Sequence, residues 1–252
     1  MSSQASATLI PAYILHRRPF KNSSLLIDLL TPAHGWLTCV AKGAKQSKAS
    51  RSSGAAVLQP FNALLVSVSG RGEVKTLGRY EAVETPAMLS GDRLYSAYYI
   101  NELLLKLLPR GEAHSTLFAA YAALLQALAD NTNSIEVLLR HFEYQVLSEL
   151  GYGLQLSHEA RSGKPLEISR LYVFEPEMGP LAVEEQHQQV SGRPVISGDS
   201  LIALSKLQLN TPQHLAESKQ LMRYLINHLL GGYHFKSRDF FQLTARNRNE
   251  SE

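Results

Sequence analysis

The spacing of hydrophobic positions changes near residue 90, and that change divides the chain. Before it, apolar residues come in short runs separated by turn formers: Leu9–Leu15, Ser24–Leu30, Trp36–Ala41, Val57–Val68 and Glu73–Val83. Thr31-Pro32-Ala33-His34-Gly35 joins the second and third runs as a hairpin loop, and Ser69-Gly70-Arg71-Gly72 joins the last two. Pro60 cannot donate to a strand ladder, so it belongs near the start of its run or at an edge. Five short strands in so small a segment predict a barrel.

From Ser90 the apolar residues recur every three or four positions. Leu94, Tyr98, Asn101, Leu105 and Leu108 predict a helix that ends at Pro109, and Leu117, Tyr121, Leu124 and Leu128 a second. Ser134 caps a third, with Leu138, Leu139, Phe142, Val146 and Leu150 on its apolar side and Gly151 as its stop. Residues 154–196 lose the period and hold several Gly and Pro, which predicts an irregular insertion with room for one small hairpin. Ser200–Leu207 is a short helix. Thr211 caps a long one with Pro212 in its first turn, a core face of Leu215, Met222, Leu225, Ile226 and Leu229, and an end at Gly231-Gly232. The fold class is therefore multi-domain α+β. A five-stranded barrel over 1–82 precedes a mainly α-helical domain over 83–252, with a small irregular C-terminal region. The polar residues Thr244–Glu252 and the first eight residues are expected to fray.

Charge sharpens this division. Residues 1–80 carry ten Lys/Arg against two acids, Asp28 and Glu73, whereas the remainder carries fifteen bases against twenty acids, so a net +3 conceals a +8 module and a −5 module. A basic barrel fits a polyanion, most directly a nucleic acid. Between the third and fourth strands lies Gly43–Ala56, a Ser/Ala/Gly-rich stretch without a large apolar residue, through which Lys42, Lys45, Lys48 and Arg51 recur every third position. With Arg17, Arg18, Arg71 and Lys75 they are the candidate phosphate contacts. Phe20, Trp36, Phe61 and Tyr80 are either base-stacking platforms or barrel core.

Other chemistries find little support. One cysteine, Cys39, excludes an internal disulfide and a cysteine-rich zinc site, and suits a reducing cytoplasm. No apolar run has membrane-spanning length, and the N-terminus has no signal-peptide pattern. Gly70-Arg71-Gly72-Glu73-Val74-Lys75 has Lys75 where a dinucleotide fingerprint needs its third Gly, and His158-Glu159 has Ser162 where a zinc protease needs a second His. His158 and His187 are too few for a metal site, and no cofactor or catalytic cluster is expected. Arg140-His141-Phe142 lies on the third helix, where Glu136, four residues before Arg140, is oriented for an exposed ion pair with it. Lys236-Ser237-Arg238-Asp239-Phe240-Phe241 reads as a surface turn with the two Phe packed inward.

An ordered series of short stretches runs over most of the chain. They are His16-Arg17-Arg18-Pro19-Phe20, Val40-Ala41-Lys42-Gly43-Ala44, Leu58-Gln59-Pro60-Phe61, Gly70–Leu77, Tyr99-Ile100-Asn101-Glu102-Leu103-Leu104, Leu139-Arg140-His141-Phe142-Glu143, Leu150-Gly151-Tyr152-Gly153, Leu230-Gly231-Gly232 and Lys236-Ser237-Arg238. Together they resemble the bacterial RecO family of recombination mediators, in its proteobacterial branch without the zinc site. The resemblance implies an N-terminal OB-fold and a non-enzymatic DNA-repair protein of the cytoplasm and nucleoid. It implies binding of single- and double-stranded DNA (ssDNA and dsDNA), strand annealing, and work with RecR to load RecA onto DNA coated with single-stranded-DNA-binding protein (SSB). It further implies that the SSB C-terminal tail docks on the helical domain, where Arg140 matches a basic position and His141 stands where a second base is frequent. An RNA-binding OB-fold protein remains the alternative, since phosphate contacts are alike in both.

Overall fold

A computed structural model describes residues 8–45, 54–83, 88–131, 133–152, 154–183 and 192–239. The chain forms two compact units: one reaches to Asp130 and takes in the segment from Lys236, and the other is Asn131–Phe235.

The first unit is built on strands β1 (Ile10–Phe20), β2 (Ser24–Thr31), β3 (Gly35–Ala41), β4 (Ala63–Ser69) and β5 (Val74–Ala82). They close in the order β1-β2-β3-β5-β4, with β3 and β5 parallel and the other pairs antiparallel, which is the OB-fold barrel. Period-2 alternation sends Ile14, Ile27, Leu29, Leu37, Cys39, Leu64, Val66 and Leu77 into one core. The expected strand Val57–Val68 begins later than its apolar run suggests. A short helix, α1 (Gly54–Val57), and a turn precede β4, and Phe61 adopts φ +71°, which no strand accommodates.

Two helices belong to this barrel, α2 (Gly91–Leu107) and α3 (Ser115–Ala129). A β-bulge between Ile14 and His16 takes Leu15 out of the β1–β2 ladder. The Leu15 carbonyl instead accepts the Asn101 side-chain amide at 2.7 Å, and the Tyr121 hydroxyl donates to the Asn101 side-chain oxygen at 2.6 Å. Burial holds the Tyr121 hydroxyl far above its ordinary pKa, so it remains a neutral donor. Tyr13 packs against the rings of Phe118 and Tyr121. The Arg93 guanidinium donates to the carbonyls of Ala127 and Leu128 and closes the end of α3. Glu102 accepts the backbone N–H groups of Lys236 and Ser237, both at 2.9 Å, and caps the helical turn at 236–239. Phe240, Phe241, His187 and the expected frayed ends over 1–7 and 244–252 lie outside the described residues.

The second unit contains α4 (Ile135–Glu149), a three-stranded sheet in the order β7-β6-β8, α5 (Gly198–Ser205) and α6 (Pro212–Leu229). The sheet is formed by β6 (Leu171–Glu175), β7 (Gly179–Ala182) and β8 (Val195–Ser197), so the expected single hairpin gains a third strand. Gly151 ends α4 with φ +78°, and the Thr211 hydroxyl accepts the His214 N–H at the start of α6. Phe142, Val146, Tyr172, Phe174, Leu204, Leu221, Met222 and Ile226 form its interior.

Glu159 anchors the loop that follows α4, accepting the Ser162 N–H at 2.5 Å. The bond from the Ser162 side chain, then backbone N–H groups of Ser162, Arg161 and Ala182, hold its pKa down at about 2 against a weaker upward push from burial. A carboxylate depressed in the folded state contributes stability that is complete above its ordinary pKa and fades as pH falls towards about 2. Acidification from pH 5 to 2.5 should therefore open the 157–166 loop, read as loss of amide protection at Ser162. Glu159→Gln should remove that pH dependence.

Candidate nucleic-acid interface

The strand register fixes which side chains share the outer surface of the barrel. Two rows face outward across β1, β2, β3 and β5: His16–Asp28–Thr38–Val74 and Arg18–Leu26–Val40–Thr76. Between them, Arg17–Ile27–Cys39–Lys75 faces the core. Adjacent residues on a strand point to opposite sides, so Arg17 and Arg18 part company. The stems of Arg17 and Lys75 follow the core side and their charged heads emerge at the barrel rim. There the Arg17 Nη1 donates to the Leu58 carbonyl at 3.0 Å, and the Lys75 Nζ to the Gly70 carbonyl at 3.1 Å.

The remaining described candidate bases fall at the two ends of the outer face, whereas exposed Arg79 lies along β5 and faces Glu81 at 3.6 Å. At one end stand Arg18 and the β1–β2 turn. The Lys45 N–H donates to the Ser23 carbonyl and the Lys45 Nζ to the Lys21 carbonyl, which draws the residues after β3 onto that turn. Arg18 and Lys42 are exposed and Lys45 is half-buried. At the other end is the β4–β5 turn with exposed Arg71, leading into Val74 beside Thr38. Lys48 and Arg51 lie outside the described residues. OB-folds bind through the β2–β3 face and the loops that border it, and here both borders are cationic.

A polar cluster occupies the face between these ends. Asp28 accepts the Thr38 hydroxyl at 2.6 Å and the Trp36 indole N–H at 3.2 Å, and His16 lies 3.6 Å away. Burial alone would raise the Asp28 pKa, but the bonds from His16, Thr38 and Trp36 outweigh it and leave the group below its ordinary value. Arg110, from the α2–α3 connection, lies over the Trp36 ring at 4.3 Å and donates to the Thr38 hydroxyl at 3.1 Å. Arg110 does not stand out in the sequence, because it lies 72 residues from Thr38 in a helix–helix loop. Of the other candidate aromatics, Phe61 packs edge-on against Tyr98 and Phe20 lies under the Lys21 ammonium. Cys39 is fully buried, and burial first, with the Asp28 charge second, pushes its thiol up to about 12, which leaves it unreactive.

Arg140 and His141 lie on α4 in the second unit. Arg140 is not the exposed partner of Glu136: it is 6% exposed and bonds Glu143, itself 1% exposed, at 2.6 Å, while Glu136 faces Lys219 of α6 at 3.7 Å. The spacing i,i+4 allowed the Glu136 pair, but the apolar face of α4 turns inward through Phe142 and carries Arg140 and Glu143 with it. His141 is half-buried, and burial outweighs a backbone bond to Leu207, lowering its pKa and favouring the neutral ring. Among the described residues no group of three or more His, Cys, Asp or Glu could hold a metal ion, and no helix is long and apolar enough to cross a membrane.

These features define an OB-fold protein with a cation-bordered strand face and a second, largely helical unit. Residues 6–86 match the family described as Recombination protein O N terminal, and residues 88–239 match Recombination protein O C terminal. A protein of Methylococcus capsulatus named DNA repair protein RecO is 41% identical over 234 residues, 93% of each chain. Proteins of the same name from Azoarcus sp. (39% identical, 92% of this chain and 93% of the relative) and Coxiella burnetii (41% identical, 92% and 96%) are comparably similar. The chain belongs to the RecO family.

Proposed function

We propose that this protein is a non-enzymatic DNA-repair mediator. It binds ssDNA and dsDNA on the outer β1–β2–β3 face of its barrel, anneals complementary strands and, with RecR, loads RecA onto SSB-coated DNA in the cytoplasm, at the nucleoid. The observation that carries the reading is the basic border at both ends of an OB strand face, in a chain whose relatives are named DNA repair protein. Annealing follows from charge: two phosphate backbones repel, and a protein that neutralises several phosphates lowers that repulsion while bases find register.

The test is pairing of complementary oligonucleotides coated with SSB. The protein should accelerate pairing, and SSB lacking its acidic tail should abolish the acceleration. Joint replacement of Arg18, Lys42 and Lys45 by Ala should flatten the salt dependence of single-strand affinity by about two log units per log unit. No acceleration, or stronger binding of a matched RNA strand than of DNA, overturns the reading.

The same proposal has the SSB tail dock on α4, at Arg140 and His141. The Arg140 Nε is buried without a hydrogen-bond partner, so a carboxylate would have to part the side chains that cover it to satisfy this donor. Because this guanidinium also holds Glu143, Arg140→Lys, which keeps the charge, is the appropriate variant. It should weaken a Phe-ended acidic peptide severalfold while the fold is kept.

A further inference from the structure

Arg110 departs from the usual surface arginine in three respects. It comes from the helix–helix connection yet lies on the barrel face, its guanidinium is stacked on an indole, and one N–H is committed to a hydroxyl. The approach depends on Gly35. This residue has φ +53°, and a Cβ there would stand 1.8 Å from the Glu112 carbonyl oxygen, so only glycine lets the 110–112 segment lie against the start of β3. The Gly111 N–H then donates to the Trp36 carbonyl at 3.1 Å and fixes the segment.

The polar cluster orients the guanidinium. Thr38 donates its hydroxyl hydrogen bond to Asp28, so the hydroxyl oxygen presents its lone pairs to Arg110. Asp28 also holds the Trp36 ring by its N–H, which sets the plane on which Arg110 rests. Arginine has five N–H donors, and the Thr38 hydroxyl takes one. Arg110 is exposed. The result is a planar cation held in place on the face between the two basic borders, with little rotamer freedom left to lose on binding.

We propose that Arg110, stacked on Trp36, is a phosphate-binding residue for a single strand crossing the β2–β3 face, with Thr38 and Asp28 as its positioning residues. This rests on the nucleic-acid reading above and adds a contact from outside the barrel strands. It also changes the part played by Trp36, since the guanidinium covers one face of the ring that a base would otherwise use.

Trp36 is the chain's single tryptophan, so its emission reports on this position alone. The experiment titrates the full-length protein with unlabelled oligothymidylate at several salt concentrations, following Trp36 emission and, in parallel, polarisation of a labelled strand. Wild type should show an emission change that saturates with binding. Arg110→Ala should alter the emission of the free protein, weaken binding about three- to tenfold and reduce the salt slope by about 0.7, the value of one phosphate contact on a single strand. Arg110→Lys should restore the slope but not the full affinity. Wild-type affinity and slope in Arg110→Ala, while the Arg18/Lys42/Lys45 variant is impaired, would remove Arg110 and leave the interface standing. Absence of binding by wild type would instead overturn the interface and Arg110 with it.

Discussion

Asn101→Ala should unfold the barrel unit at much lower urea than wild type, with a loss of about 4 kcal/mol. The side chain serves two buried groups at once. Its amide satisfies the Leu15 carbonyl left over at the bulge, and its oxygen receives the Tyr121 hydroxyl. Truncation removes the bond that Asn101 makes to each of these buried groups, at about 1–3 kcal/mol each, and adds a small cavity. Against a typical total of about 5–15 kcal/mol the loss is severe. Trp36 fluorescence isolates the transition, because the only indole lies in this unit. Tyr121→Phe, which removes one bond and keeps the ring packed, should cost about 1–2 kcal/mol. Equal stability of Asn101→Ala and wild type would show that Leu15 is satisfied elsewhere.

The second large effect concerns α4. Arg140→Ala should destabilise the second unit by about 3–5 kcal/mol, because it leaves the Glu143 carboxylate in the interior without the guanidinium that faces it. The replacement of both, Arg140→Met with Glu143→Leu, should recover most of that loss, since apolar residues of similar volume carry no desolvation penalty. Helices of both units contribute to far-UV circular dichroism, so the part of its unfolding transition that does not coincide with the Trp36 emission change would report this unit. If the double variant is as unstable as the single one, the pair is needed for more than mutual neutralisation. By contrast, Glu136→Ala should shift stability by less than about 1 kcal/mol, as expected of the exposed bridge to Lys219. Peptide-binding losses in Arg140→Ala are therefore interpretable only beside a measurement of folding.

Much of the architecture was legible along the chain. The five strands and the helices after residue 90 follow from apolar spacing, which is set within a few residues. Ser134, Thr211 with Pro212, and Gly151 mark helix ends by local backbone chemistry. The fourth strand begins later than its apolar run suggests because Val57 and Leu58 are apolar for another reason: they pack on the barrel core from a helical turn, with Leu58 fully buried. The concentration of positive charge before residue 80 was equally visible, as a matter of composition.

Facing and long-range partnership were not visible. Arg17 and Arg18 are neighbours in sequence and carry the same charge, yet the pleat and the bulge at Leu15 send one to the core-side rim and the other to the open face. Asn101 meets Leu15 across 86 residues, and Arg110 meets Thr38 across 72. Local spacing encodes which segments become strands or helices, because backbone hydrogen bonds and side-chain periodicity act over a few positions. The register of a closed barrel and the docking of a helix–helix loop upon it arise only when distant segments meet, and those contacts turned a scatter of bases into two borders around an indole-supported arginine.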